Sequence, residues 1–197
     1  MHSRVGYRLL FRLRGFMKIL IVSDSHGMNG PLRTAILKEA PDMLIHLGDA
    51  EYSTQEIASW AGSPKTPCVF VRGNCDYNSY DSSVLKNDAV FELNGHNFYC
   101  THGHRQRVNY GLLTLSLTAQ EQGCDIALFG HTHIPYDSFG DALSDYSRVY
   151  ESRGDQPSGP RILNPGSISL PRGGSKRGYM IMEMEDDGRY EVYYRVV

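Results

Sequence analysis

Lys18–Val22 reads KILIV, and Ser23-Asp24-Ser25-His26 follows at once. Ile19, Leu20, Ile21 and Val22 leave no polar face, which is how a strand covered on both sides is written. The same signature returns in Met43–Leu47 (MLIHL), Cys68–Val71 (CVFV) and Ile126–Phe129 (IALF), with a shorter strand at Arg161–Leu163. Between them lie helical stretches. Residues 31–39 follow Asn29 or Gly30 near an N-cap, with Pro31 in the first turn. Ser53 and Glu56 have capping-box spacing ahead of a short helix reaching about Ala61. Residues 108–122 carry Leu112, Leu115 and Ala119 at helical spacing and stop at Gly123. Two hairpins complete the pattern: Ala89–Leu93 with Asn97–Thr101 around Asn94-Gly95, and 178–184 with 189–196 around Asp187-Gly188. Strands alternating with helices, then hairpins, predict an α/β sandwich with mixed sheets.

Polar residues of one chemical kind cluster where these strands end. KILIV delivers Asp24 and His26; MLIHL delivers Gly48-Asp49; CVFV delivers Arg72-Gly73-Asn74-Cys75-Asp76. NFYC delivers Thr101-His102-Gly103-His104, and IALF delivers Gly130-His131-Thr132-His133. Ligands of α/β sheets gather outside the carboxyl ends of the strands, so these side chains should converge although they span more than half of the chain. Carboxylates, imidazoles and one amide, without a thiolate cluster, suit divalent Mn, Fe or Zn better than a soft, sulfur-ligated ion. Asp24, His26, Asp49, Asn74, His102, His131 and His133 are too many for one ion. Two ions about 3.5–4 Å apart, sharing one carboxylate, would use them all.

Asp24-x-His26, Gly48-Asp49, Gly73-Asn74-x-Asp76, His102 and Gly130-His131-Thr132-His133, in that order, resemble the calcineurin-like metallophosphoesterase superfamily. Gly73-Asn74-Cys75-Asp76, with Asn164-Pro165-Gly166-Ser167 downstream, is similar to its small bacterial and archaeal phosphodiesterase family. The resemblance covers residues 17–197. It implies a four-layer α/β/β/α sandwich with two facing mixed β-sheets. It also implies one ion held by Asp24, His26, Asp49 and His133, and a second by Asp49, Asn74, His102 and His131, with Asp49 bridging. The implied activity is metal-dependent phosphodiester hydrolysis by attack of a metal-bound hydroxide. Manganese is the expected metal, with Fe, Zn, Ni or Mg as alternatives. Asp49, Asn74, His102, Cys75 and Asp76 are the expected catalytic residues.

Cys75 departs from the superfamily, many of whose members carry a His there that serves the leaving group. A thiol with an ordinary pKa of about 8.5 is a poorer proton donor, so phosphomonoesters, with their alkoxide leaving groups, are the less favoured substrates. The expected substrate is a small phosphodiester or nucleotide-like molecule. The alternatives are a phosphomonoesterase, or a non-catalytic scaffold of the same fold, as in the small subunit of retromer. Outside these motifs, His46 lies within a strand and reads as a hydrogen-bonded core residue. His96, after the Asn-Gly turn, reads as exposed. For His104 an outer or substrate role weighs evenly against a solvated loop. Arg72 and Arg172 carry little weight as phosphate contacts.

Composition sets the outer limits. The 197 residues are 41% hydrophobic, enough for one domain with a real core. Four cysteines without a CxxC pair do not make a disulfide scaffold, and they fit a reduced, cytoplasmic setting. No apolar run approaches the roughly 20 residues of a membrane span. Nor does any basic stripe interleaved with aromatics signal nucleic acid. The net charge of −2 hides an asymmetry: Arg4, Arg8, Arg12 and Arg14 lie in residues 1–16, which contain no acid. That segment reads as a disordered extension or as lying upstream of a start at Met17, with residues 17–197 forming a single domain. Residues 137–160, rich in Ser, Asp, Gly and Tyr, read as a long loop. Tyr136, Tyr146 and Tyr150 there could stack on a base, pack on the body, or meet a second subunit in a homo-oligomer.

Overall fold

The computed structural model describes residues 15–62, 64–78, 83–139 and 159–197. Ile19–Val22 is fully buried, as its unbroken apolar face requires. It forms the heart of β1 (Phe16–Val22), which pairs in parallel with β2 (Met43–His46) and antiparallel with β9 (Gly178–Glu185). β3 (Cys68–Phe70) continues the parallel side and β10 (Tyr190–Val196) the antiparallel one, giving the order β10-β9-β1-β2-β3. The second sheet runs β4-β5-β6-β8-β7, built from Asp88–Leu93, His96–Thr101, Ile126–Leu128, Arg161–Pro165 and Pro135–Phe139 respectively. Its β5–β6 and β6–β8 pairs are parallel and its outer pairs antiparallel.

Period-2 alternation divides each strand between two cores. Ile19, Ile21, Ile45, Met180 and Met182 of one sheet meet Phe98, Cys100, Ile126, Leu128 and Leu163 of the other in the middle layer. Leu20, Leu44 and Ile181 point the opposite way, against α1 (Asn29–Glu39) and α2 (Thr54–Ser59). Tyr99, Ala127 and Ile162 face α3 (Leu113–Glu121). The result is the four-layer α/β/β/α sandwich. Among the described residues no helix is long and apolar enough to cross a membrane.

Local signals hold in part. Ser53 caps α2 by accepting the Glu56 N–H at 3.3 Å, but the Glu56 carboxylate takes the Tyr52 hydroxyl instead of returning to the cap. α1 begins without a side-chain cap, from Met28 and not from Asn29 or Gly30. The helix expected over 108–122 is broken. Val108–Tyr110 makes one 3-10 turn, Gly111 turns out at φ 136°, and α3 starts only at Leu113. Packing overrides periodicity here, because Val108 is drawn into the core beside Gly103 and Phe129.

Other expectations need correction. Asp137–Phe139 belongs to β7 and not to a loop; Asp137 receives a two-pronged bond from Arg161 at 3.0 and 2.9 Å. Residues 140–158, with Tyr146 and Tyr150, lie outside the described residues, as do residues 1–14. Phe16 pairs with Glu185, so β1 begins before Met17. His96 is not simply exposed: its ring bonds Asp125 and the Gly188 carbonyl and meets Tyr190 edge-on, tying the two sheets together at the end remote from the motifs.

Candidate metal centre

All the motif residues lie at one end of the sandwich, just past β1, β2, β3, β5 and β6, and the turns there are unusually tight. Asp24, His26, Asp49, His131 and His133 all have positive φ, between 45° and 67°. Such a backbone costs a non-glycine residue on the order of 1–3 kcal/mol and persists only where something else fixes it. Two glycines make room for the carboxylates. A Cβ on Gly73 would stand 2.0 Å from Asp49 Oδ1, and one on Gly130 would stand 2.0 Å from Ser23 Oγ and 2.9 Å from Asp24 Oδ2.

Asp24, His26 and His133 form one group whose ligand atoms lie within 4.8 Å of one another. His26 Nδ1 donates to Glu51 Oε1 at 2.6 Å and His133 Nδ1 donates to the Leu170 carbonyl at 2.5 Å. With the outer nitrogens so engaged, both Nε2 atoms turn lone pairs inward, and they face each other at 3.2 Å. Asp24 Oδ1, 3.3 Å from His133 Nε2, is buried and makes no hydrogen bond among the described residues. Two lone pairs and an orphaned carboxylate oxygen converging on one point call for a shared cation.

The second group centres on His102, which is fully buried. Its Nδ1 donates to the Leu47 carbonyl at 2.7 Å, leaving Nε2 at 3.3 Å from Asp49 Oδ2, 3.2 Å from Asn74 Oδ1 and 3.9 Å from Asp24 Oδ1. His131 stands beside it, ring centroids 5.1 Å apart, with Nε2 on the Asn109 amide at 3.0 Å. Asp49 lies between the groups, since Oδ2 is also 3.9 Å from His26 Nε2. Six of the seven expected ligands are therefore brought together, and His131 stands beside them with its Nε2 on the Asn109 amide. Outer oxygens fix the tautomers of three of their imidazoles, as they do for metal-bound histidines in general.

The electrostatics favour cations. Burial alone would raise the Asp24 and Asp49 carboxyls, but the histidines beside them, and for Asp49 also the Cys75 amide, outweigh it and hold both below the ordinary range. Burial likewise works against protonating His102 and His133, yet the neighbouring carboxylates pull both up. His131 goes the other way: burial, then the charge of His102, lowers its pKa.

Asp76 and Cys75 meet the centre in different ways. Asp76 is fully buried and accepts the backbone N–H groups of Asp49, Glu51 and Gly73 at 2.8, 2.9 and 2.7 Å, so it holds two ligand-bearing turns together. Cys75 donates its backbone N–H to Asp49 Oδ1 at 2.7 Å, and its exposed thiol shares a cluster with His26 and Asp49. Burial and then the Asp49 charge push that thiol up to about 12.

Behind the ligands runs a brace that spacing alone does not reveal. Ser167 and Ser169 hydroxyls both donate to the Asp24 carbonyl, at 2.7 and 2.8 Å, and Asn164 donates to the Gly130 carbonyl at 2.9 Å. The Asn164–Ser167 turn thus serves the site as its wall. Glu51, Asn109, Ser169 and the Leu170 carbonyl were missed. Glu51 carried a signal, two residues past Asp49; the others are brought in by chain path alone. Arg72 Nη2 donates to the Leu85 carbonyl at 2.7 Å.

His46 proves to be the buried core residue expected, bonded to Ser25 Oγ at 3.0 Å. Burial pushes its pKa down to about 4 from 6.5. The sign follows from linkage: above pH 6.5 the ring is neutral folded and unfolded, and as pH falls toward 4 only the unfolded chain takes the proton. Stability should fall across that window by up to about 3 kcal/mol. His46→Asn should flatten the loss between pH 7 and pH 5 in urea titrations; an unchanged slope would assign the acid lability to other groups.

A calcineurin-like phosphoesterase superfamily domain matches residues 17–187. The chain is 32% identical over 180 residues to the Bacillus subtilis protein called probable metallophosphoesterase YsnB, covering 90% of each. It is 26% identical over 187 residues to the phosphodiesterase YfcE of Escherichia coli K12, covering 85% of this chain and 88% of that one. Among solved structures, a predicted phosphoesterase of Streptococcus pneumoniae TIGR4 superposes with a TM-score of 0.66 at 24% identity, over 91% of this chain and 98% of the other. Vacuolar protein sorting 29 of Cryptosporidium parvum superposes at 0.63 and 16% identity, over 91% and 97%. Both likenesses to solved structures speak for the fold. With the domain match spanning nearly the whole described chain and a relative above 30% identity, this protein belongs to the calcineurin-like phosphoesterase superfamily, whose members are metal-dependent.

Proposed function

We propose that the chain hydrolyses phosphodiesters, with two divalent ions, manganese foremost, held by Asp24, His26, Asp49 and His133 on one side and by Asp49, Asn74, His102 and His131 on the other. The observation that carries this reading is the position of the Asp49 carboxylate between two groups of inward-turned ligand atoms. Bound there, the ions would supply an activated water and neutralise charge on the phosphoryl oxygens. The chain's own part is to hold the ligands with little freedom. Glu51, Leu47 and Leu170 orient the imidazoles, and Asp76 fixes the turns carrying Asp49 and Asn74. The test is hydrolysis of a bis-aryl phosphate and of nucleotide diesters by manganese-reconstituted protein. Metal binding without cleavage of any ester would favour the scaffold reading, to which the likeness in fold to vacuolar protein sorting 29 lends weight.

Preference for diesters rests on Cys75. A thiol pushed up to about 12 yields its proton reluctantly, and alkoxide leaving groups of monoesters need that proton most. Cys75→His should raise the monoester-to-diester rate ratio about 100-fold, the low end of what general acids contribute. The backbone bond from residue 75 to Asp49 is retained in this variant. An unchanged ratio in paired assays would show that position 75 does not select the substrate.

A further inference from the structure

Six imidazoles stand at the centre or directly behind it, and five have a partner for at least one ring nitrogen. His26 meets Glu51 and His133, His46 meets Ser25, His102 meets Leu47 and Asn74, His131 meets Asn109, and His133 meets Leu170. His104 is the exception: its Nδ1 is buried with no hydrogen-bond partner among the described residues. The ring borders His102 and His131, at centroid distances of 5.4 and 6.1 Å. It is not a swinging side chain on a slack loop. The Arg107 N–H bonds the His104 carbonyl at 3.2 Å and the Val108 N–H bonds that of Gly103 at 3.3 Å. Gln106, buried two residues on, is bonded to Tyr99 at 2.8 Å and Thr101 at 3.2 Å. A fixed turn therefore presents a half-buried imidazole next to two ligand histidines.

The tautomer follows from burial. A buried orphaned N–H is worse tolerated than an orphaned lone pair, so the proton belongs on Nε2 and Nδ1 stays bare. With Nδ1 sealed, Nε2 carries the ring's N–H donor. We propose that His104 is a substrate-contact residue, its Nε2–H donating to a phosphoryl oxygen on the His102–His131 side of the centre. The proposal rests on the phosphoester reading and assigns His104 neither a metal nor a transferred proton. It also gives the site a donor flanking phosphorus that Cys75, grouped with His26 and Asp49, does not provide.

The test uses manganese-loaded full-length protein, with His104→Ala and His104→Gln, whose amide nitrogen can stand near the Nε2 position. Inorganic phosphate binding is measured by calorimetry, alongside bound metal and diester KM and kcat. Expected for His104→Ala is phosphate affinity weakened about 10–100-fold, the range for a hydrogen bond to a charged group, at unchanged metal content. His104→Gln should recover most of it. Unaltered phosphate affinity and kinetics in His104→Ala would overturn this proposal while leaving the hydrolase reading intact, as would loss of metal from that variant, which would make His104 structural. Wild-type protein that neither binds phosphate nor cleaves any ester would overturn the hydrolase reading itself.

Discussion

Asp49→Ala should reduce phosphoester turnover to background and lower bound metal at both positions of the centre. Asp49 is the residue whose two oxygens serve different neighbours: Oδ1 accepts the Cys75 amide at 2.7 Å, and Oδ2 faces His102 at 3.3 Å and His26 at 3.9 Å. Truncation removes the charge that both ligand groups share and also releases the turn that carries Asn74. Losing a partner behind a metal ligand typically costs 10–100-fold, so losing a shared ligand should cost more. Asp49→Asn separates the contributions, since its amide oxygen can still accept from Cys75 while the negative charge is gone. Elemental analysis and diester assays on both variants decide the matter. Retained turnover, or loss of only one equivalent of metal from Asp49→Ala, would remove Asp49 from the bridging position.

Gly73→Ala should be nearly as damaging, although it adds only a single methyl group. The new Cβ would lie 2.0 Å from Asp49 Oδ1 and 2.3 Å from the Asp49 backbone nitrogen. A side chain could rotate away; the backbone nitrogen cannot, and it is pinned by Asp76. The turns must separate, so we expect a loss of roughly 1–3 kcal/mol in unfolding stability together with weaker metal binding. Gly130→Ala is the milder comparison, because its closest neighbour is the Ser23 hydroxyl, a short side chain able to turn. Gly30→Ala, in the first turn of α1 with nothing outside its chain neighbours within 4 Å of the added carbon, should change stability by no more than about 0.5 kcal/mol, since Pro31 offsets the usual helical gain. Chemical denaturation of the three variants tests this ordering, and a Gly73→Ala protein as stable as Gly30→Ala would refute the close-approach argument.

Much of this was legible in the chain because burial on two faces leaves a plain mark. Ile19–Val22, Met43–Leu47 and Ile126–Phe129 can be recognised as strands without any partner in view, and the residues at their ends then converge for topological reasons. What was illegible depended on contacts made at a distance. Periodicity carried the helix at 108–122 straight through Gly111, because no local signal shows that Val108 must join the core beside Phe129. The start of the loop at 137 was misread because Asp137 becomes a strand residue only by pairing with Leu163 of β8. Asp76 shows the limit in the site itself: the motif announces the residue, but only the fold shows three backbone amides converging on its carboxylate.

Asp24, His26, Asp49 and Asn74 hang from one sheet, whereas His102, His131 and His133 hang from the other. The ligand cluster therefore works as a latch across the open edge of a two-leaved book, with His96 bridging to Asp125 and Gly188 as the binding at the spine. The thickness of the pages, set by Met180, Met182, Leu128 and Leu163 between the leaves, fixes how far apart the two halves of the latch stand. Core volume in this protein is thus also a gauge for the centre, and a methylene removed far from any ligand would be felt as a change of span there.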